Sequence, residues 1–172
     1  MQKLKDLLKI GKAKVKDMGA KYIRPDYHSS YTETLLTMKN SNPSSDDFAE
    51  AIDNLWLLTR QDVNYTKKRI QLTRNFFNTY NPESWDSSKK ASFGEIGEKF
   101  IRGQNEVLQS RKEISESTKI ARESYYSYRR KEISYEEFFE SLKTMLLTQQ
   151  KSTVSLVTKL NQSLSEPARA TQ

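Results

Sequence analysis

Apolar positions recur at steps of three and four along most of this chain, the period of an amphipathic helix. In residues 2–23 the series is Leu4, Leu8, Gly11, Val15, Met18 and Tyr22, widened by Leu7, with Lys5, Lys9, Lys12 and Lys16 repeating the spacing on another face. Arg24-Pro25-Asp26 ends that segment, because the residue before a proline is pushed out of the α region. A shorter helix over 29–39 carries Tyr31, Leu35 and Met38, and Pro43 sits in the polar break that follows.

Steps of seven then take over. Between about Asp46 and Tyr80, Trp56, Val63, Ile70 and Phe77 form one column, and Ile52, Thr59, Thr66, Thr73 and Tyr80 form a second. Between about Ala91 and Lys131, Phe93, Phe100, Val107, Ile114, Ala121 and Tyr128 make six consecutive positions of a column. Its companion is mostly small: Ile96, Gly103, Ser110, Ser117 and Ser124. Paired columns of this kind read as a helix–helix seam, and the small residues, with Gly94 and Gly97, read as points of close approach. Ser84–Lys90 reads as a loop. A last helix over about 135–164 opens on Phe138, Leu142, Met145 and Gln149. No strand pattern longer than a few residues occurs. The expected fold is all-α: an elongated antiparallel bundle or coiled coil of three long helices, preceded by a basic amphipathic helix. The expected division is a basic helix at 1–24, a bundle at 27–165 and a tail at 166–172. Trp56, Val63, Ile70, Phe77, Phe93, Phe100, Val107 and Ile114 are the expected association seam.

Composition agrees with long helices and narrow apolar seams. Only 35% of residues are hydrophobic and 30% are charged, with 5 Gly and 4 Pro, and the mean hydropathy is −0.85. The 9 Tyr, 7 Phe and 2 Trp argue against a disordered chain. The net charge of +7 is segregated: residues 1–24 hold eight basic side chains against two acidic ones, a net of +6, which leaves +1 for the rest. That is a basic arm on a nearly neutral frame. No apolar run approaches the roughly 18 residues of a membrane span, and charges interrupt the first segment too often for a signal peptide.

Chemistry is sparse. The absence of Cys removes thiolate catalysis and Cys-ligated zinc, and His28 is the only histidine, without a partner for a metal site or a triad. Asp46-Asp47 and Glu136-Glu137 stand at expected helix starts, where acids offset the dipole. No enzyme, metal or cofactor is expected. Tyr125, Tyr126 and Tyr128 beside Arg129, Arg130 and Lys131 read two ways. They form a stacking and phosphate-contacting patch, or seam tyrosines followed by a basic helix end.

The basic segment, the three long helices, the break at Asn42-Pro43 and the stretch from Ala91 to Phe100 together resemble the BAR superfamily of membrane-curving domains. The resemblance implies an antiparallel homodimer on acidic bilayers, with Arg129, Arg130 and Lys131 at a basic tip. Lys3, Lys5, Lys9, Lys12, Lys14 and Lys16 are the expected contacts to anionic headgroups, and Leu4, Leu7 and Leu8 the inserted side chains. The expected function is a non-enzymatic scaffold, cytoplasmic and peripheral to an acidic phospholipid membrane, acting as a homodimer or with a helical partner. Nucleic acid is not the expected partner. The alternative is a soluble coiled-coil adaptor subunit without lipid binding.

Overall fold

The computed structural model describes residues 27–151. The chain is all-helical there, without a strand among the described residues. Helix α1 is Tyr27–Asn40, α2 is Asp46–Thr79, α3 is Ser87–Arg129, and α4 covers 135–151 of the described residues. The basic segment and the expected end of the last helix lie outside them.

Helices α2, α3 and α4 each start on a side-chain cap. The Ser45 hydroxyl accepts a hydrogen bond from the Phe48 amide (3.3 Å), Asp86 accepts one from Lys89 (2.7 Å), and Ser134 accepts one from Glu137 (3.2 Å). These satisfy amides that have no partner inside the helix. The Asp86 cap corrects the expected start of α3: Ser87–Lys90 is the first turn of the helix rather than loop. At the far end of α3 the Lys131 amide donates to Tyr128 O and the Glu132 amide to Ser127 O, both at 2.9 Å. This is the paired closure of a Schellman cap. It puts Lys131 at φ 61°, a left-handed conformation that glycine adopts more cheaply.

The chain divides into two compact units, one of which is Tyr65–Leu108, with the other drawing on 27–64 and 109–151. In the first, the second half of α2 meets the first half of α3, and Phe93, Ile96 and Phe100 form a core joined by Phe76, Phe77, Tyr80 and Trp85. In the second, all four helices contribute to a core of Met38, Phe48, Ala51, Ile52, Leu55, Ala121, Tyr125, Phe138 and Met145. Within each unit α2 and α3 pair antiparallel. Thr73 meets Gln104 in the first, while Thr59 meets Ser115 and Asp53 meets Arg122 in the second.

Both columns of sevens face inward, and their threonines need no partner helix to be satisfied. The buried Thr59 and Thr73 hydroxyls of these columns, and that of Thr118 on a neighbouring line of α3, each donate to a carbonyl one turn back in their own helix, at 2.7, 2.9 and 2.8 Å. Threonine thus fills the space of a valine with its polar atom already bonded. A third column on each helix is also buried or half-buried: Phe48, Leu55, Asp62, Arg69 and Phe76 on α2, and Gly97, Gln104, Arg111, Thr118 and Tyr125 on α3. The glycines behave unequally. A Cβ on Gly97 would lie 2.6 Å from Phe77 Cγ, whereas one on Gly94 would meet nothing within 4 Å. Gly94 is therefore not the close-packing point its neighbourhood suggested.

Candidate interaction surfaces

The basic residues at the end of α3 are exposed, and two of them have contacts within the chain. Arg129 Nη1 donates to the Tyr125 hydroxyl (2.8 Å) and to Ser45 O (3.4 Å), and its guanidinium lies over the Tyr125 ring. Arg130 pairs with Glu132 at 2.8 Å. Its hydrogen bond holds the Glu132 carboxyl below the usual carboxylate range. Tyr125 is fully buried, and Tyr128 stacks on Phe138 with centroids 5.7 Å apart. Of the three expected tip cations, Lys131 alone has no described partner, and it holds the helix cap. The aromatic-basic run is thus a helix end over a core, and no stacking platform forms at Tyr125.

A second polar cluster lies on the same unit. Asp53 accepts a hydrogen bond from Arg122 Nε (2.6 Å) and from the Tyr126 hydroxyl (2.9 and 2.8 Å). Arg122 and Arg60 both lie against the Trp56 ring, 4.6 and 4.7 Å from its centroid. Burial pushes the Tyr126 phenol above its ordinary range, and its bond to the Asp53 carboxylate pushes the same way. The cluster ties α2 to α3 rather than presenting a reactive group. Asp62 and Arg111 form a more buried pair at 3.1 Å, with side-chain exposures of 5% and 16%.

Between α1 and α2 runs an open cleft of about 450 Å³, lined by Glu33, Asp47, Glu50, Ala51, Leu57 and Leu58 among others. Three carboxylates on its walls make it hostile to phosphate or any other anion. Among the described residues no group of three or more His, Cys, Asp or Glu side chains is placed to hold a metal ion, and no helix is long and apolar enough to cross a membrane.

The expected seam residues are distributed as follows. Val63, Ile70, Phe93, Phe100, Val107 and Ile114 are buried, and Trp56 and Phe77 are half-buried. Their apolar surface is used within the chain. The exposed large apolar side chains lie elsewhere: Leu36 on α1, Leu57 on α2 and Ile120 on α3, and four on α4, where Tyr135 is 42% exposed, Phe139 39%, Leu146 42% and Leu147 66%. Tyr135 and Phe139 stack at 5.9 Å, and with the half-buried Leu142 and with Leu146 they follow steps of four, three and four on one line. Sequence reading assigned α4 only its buried stripe. The signal for the second line was a helix with apolar residues on two faces, which is more than one core absorbs.

Lys3, Lys5, Lys9, Lys12, Lys14 and Lys16, with Leu4, Leu7 and Leu8, lie outside the described residues. No protein-family model, curated protein or solved structure matches the chain.

Proposed function

We propose that the chain is a non-enzymatic helical scaffold that binds acidic surfaces, anionic membranes foremost, through residues 1–24. In this reading α2, α3 and α4 are the rods of an antiparallel bundle that carries the basic segment and brings two copies of it together. The observation that supports the reading is the segregation of charge: +6 of the net +7 falls within 24 residues, beside a leucine stripe. On an anionic leaflet each near-surface lysine adds on the order of 1 kcal/mol, and two copies joined in one assembly add avidity.

Sedimentation with vesicles that contain or lack anionic lipid, at two salt concentrations, tests it. Binding should require anionic lipid and weaken as salt screens the charges. Reversing Lys5, Lys9, Lys12 and Lys16 to glutamate changes the charge by −8 and should abolish binding. Leu4→Ser with Leu8→Ser should weaken it, since insertion needs the apolar face. Vesicle binding indifferent to both sets of changes removes the membrane reading. The exposed line of α4 favours a second reading, a soluble adaptor that docks a partner helix without lipid.

A further inference from the structure

We infer that the exposed line of Tyr135, Phe139, Leu142 and Leu146 on α4 is covered by the same line of a second copy, the two helices running antiparallel. Three observations on α4 lead there. The first is the line itself: Tyr135, Phe139 and Leu146 are exposed large apolar side chains, aligned through the half-buried Leu142, with Tyr128 of α3 against the Tyr135 ring. Isolated exposed apolar residues are ordinary, but a contiguous row marks a contact.

The second is the order of charge along the helix. The first half of α4 carries Glu136, Glu137 and Glu140, and the later part carries Lys143 and Lys151. Placed antiparallel, the acidic half of one copy faces the basic half of the other. Placed parallel, Glu136 and Glu140 face their own copies and Lys143 faces Lys143, which is repulsive throughout. Acid-first order also suits the helix's own dipole, but the dipole gives no reason for an apolar row beside it. The same carboxylates repel an anionic leaflet, so lipid is not the occupant of this face.

The third is spacing. Phe139 and Leu146 are seven residues apart, two turns or about 10.5 Å along the helix. A two-fold axis passing between Leu142 and Lys143 sets Phe139 of each copy against Leu146 of the other, so that both apolar contacts form at once. Such an isologous contact closes on itself and gives a dimer rather than a filament. Lys143 now bonds Glu140 at 2.8 Å and lies over the Phe139 ring at 4.9 Å. Both are exposed contacts within one helix, worth little in water, and free to exchange for the partner's carboxylates. The pairing does not involve the basic segment, so it stands or falls without lipid.

Sedimentation of the full chain in lipid-free buffer is the test. A dimer is expected at micromolar concentration. Phe139→Asp with Leu146→Asp, both at exposed positions, should weaken it by about 100-fold with helical content unchanged by circular dichroism. Glu136→Lys with Glu140→Lys makes α4 basic throughout and should weaken the dimer about tenfold. Adding Lys143→Glu and Lys151→Glu exchanges the two halves and should restore it. Orientation is read separately, because the chain has no cysteine. Phe139→Cys mixed with Leu146→Cys should form a disulfide between chains faster than either variant alone. A monomer under these conditions, a dimer unaffected by the two aspartates, or faster self-coupling of Phe139→Cys overturns the proposal.

Discussion

The same two helices are held together by different means in the two units. In Tyr65–Leu108 the described core is a cluster of rings. Phe93 lies 4.8 Å from Phe77, 5.1 Å from Trp85, 5.6 Å from Tyr80 and 5.9 Å from Phe76, in tilted and edge-on arrangements. The unit of 27–64 and 109–151 has rings too, but it also buries Ala51 and Ala121 completely or nearly so and admits an ion pair at Asp62–Arg111. Geometry explains the contrast. Where two described helices and a turn supply the core, side-chain size must supply its thickness, and rings reach across. Where four helices supply it, small residues suffice at some positions, and a charge pair with side-chain exposures of 5% and 16% is strengthened by the water it loses.

The largest expected effect lies at the centre of the ring cluster. Phe93→Ala should destabilise the first unit by about 3–5 kcal/mol, the range for truncating a packed aromatic in a core. The two tryptophans fall one in each unit, Trp85 in the first and Trp56 in the second. Urea unfolding in Trp56→Phe and Trp85→Phe backgrounds therefore reads the units separately. If the loss is felt at Trp85 and not at Trp56, the units unfold independently. Coincident transitions make them one cooperative structure. A loss below about 1 kcal/mol breaks the idea that ring size carries this core.

The ion pair sharpens the other half of the comparison. Arg111→Ala leaves the nearly buried Asp62 carboxylate without its guanidinium and should cost about 3 kcal/mol, whereas leucine at both positions should cost far less or stabilise. Equal losses in the single and the double variant, measured by the same unfolding at Trp56, mean that the site depends on shape and not on charge compensation.

Much of this fold was legible in the sequence, and what escaped had a common cause. The columns of sevens marked which faces of α2 and α3 turn inward, and Pro43 marked the break before α2. The third columns escaped because two columns suffice for a helix with one neighbour, and nothing local says that α2 and α3 also meet α1 and α4. Tyr125, Phe48 and Leu55 became core only through that second contact. The pairing of Asp62 with Arg111 was not legible, because 49 positions separate them and only the antiparallel register brings them together. The contacts of Arg129 escaped for the same reason: its partners, Ser45 and Tyr125, lie one in the turn before α2 and one a helical turn back. The apolar line on α4 was in plain view, but the stripe of Phe138, Leu142, Met145 and Gln149 leaves out Phe139 and Leu146.

The smallest expected effects come from two glycines three residues apart. Both were read from sequence as places where helices approach closely. Gly97 is such a place: the added methyl of Gly97→Ala would lie 2.6–2.9 Å from three atoms of the Phe77 side chain, and that ring is already wedged against Phe93 and Phe100. It cannot swing aside without disturbing the cluster, so Gly97→Ala should destabilise by about 1–3 kcal/mol, the usual cost of overpacking. Gly94 faces open space on the same helix. Gly94→Ala meets no atom and gains helix propensity, so it should stabilise by about 0.5–1 kcal/mol. The opposite signs, read at Trp85 in the Trp56→Phe background, isolate what the ring cluster does from what any helix prefers. If Gly97→Ala also stabilises, Phe77 has room to move, and the tight aromatic core that distinguishes this unit from the other is looser than its ring distances imply.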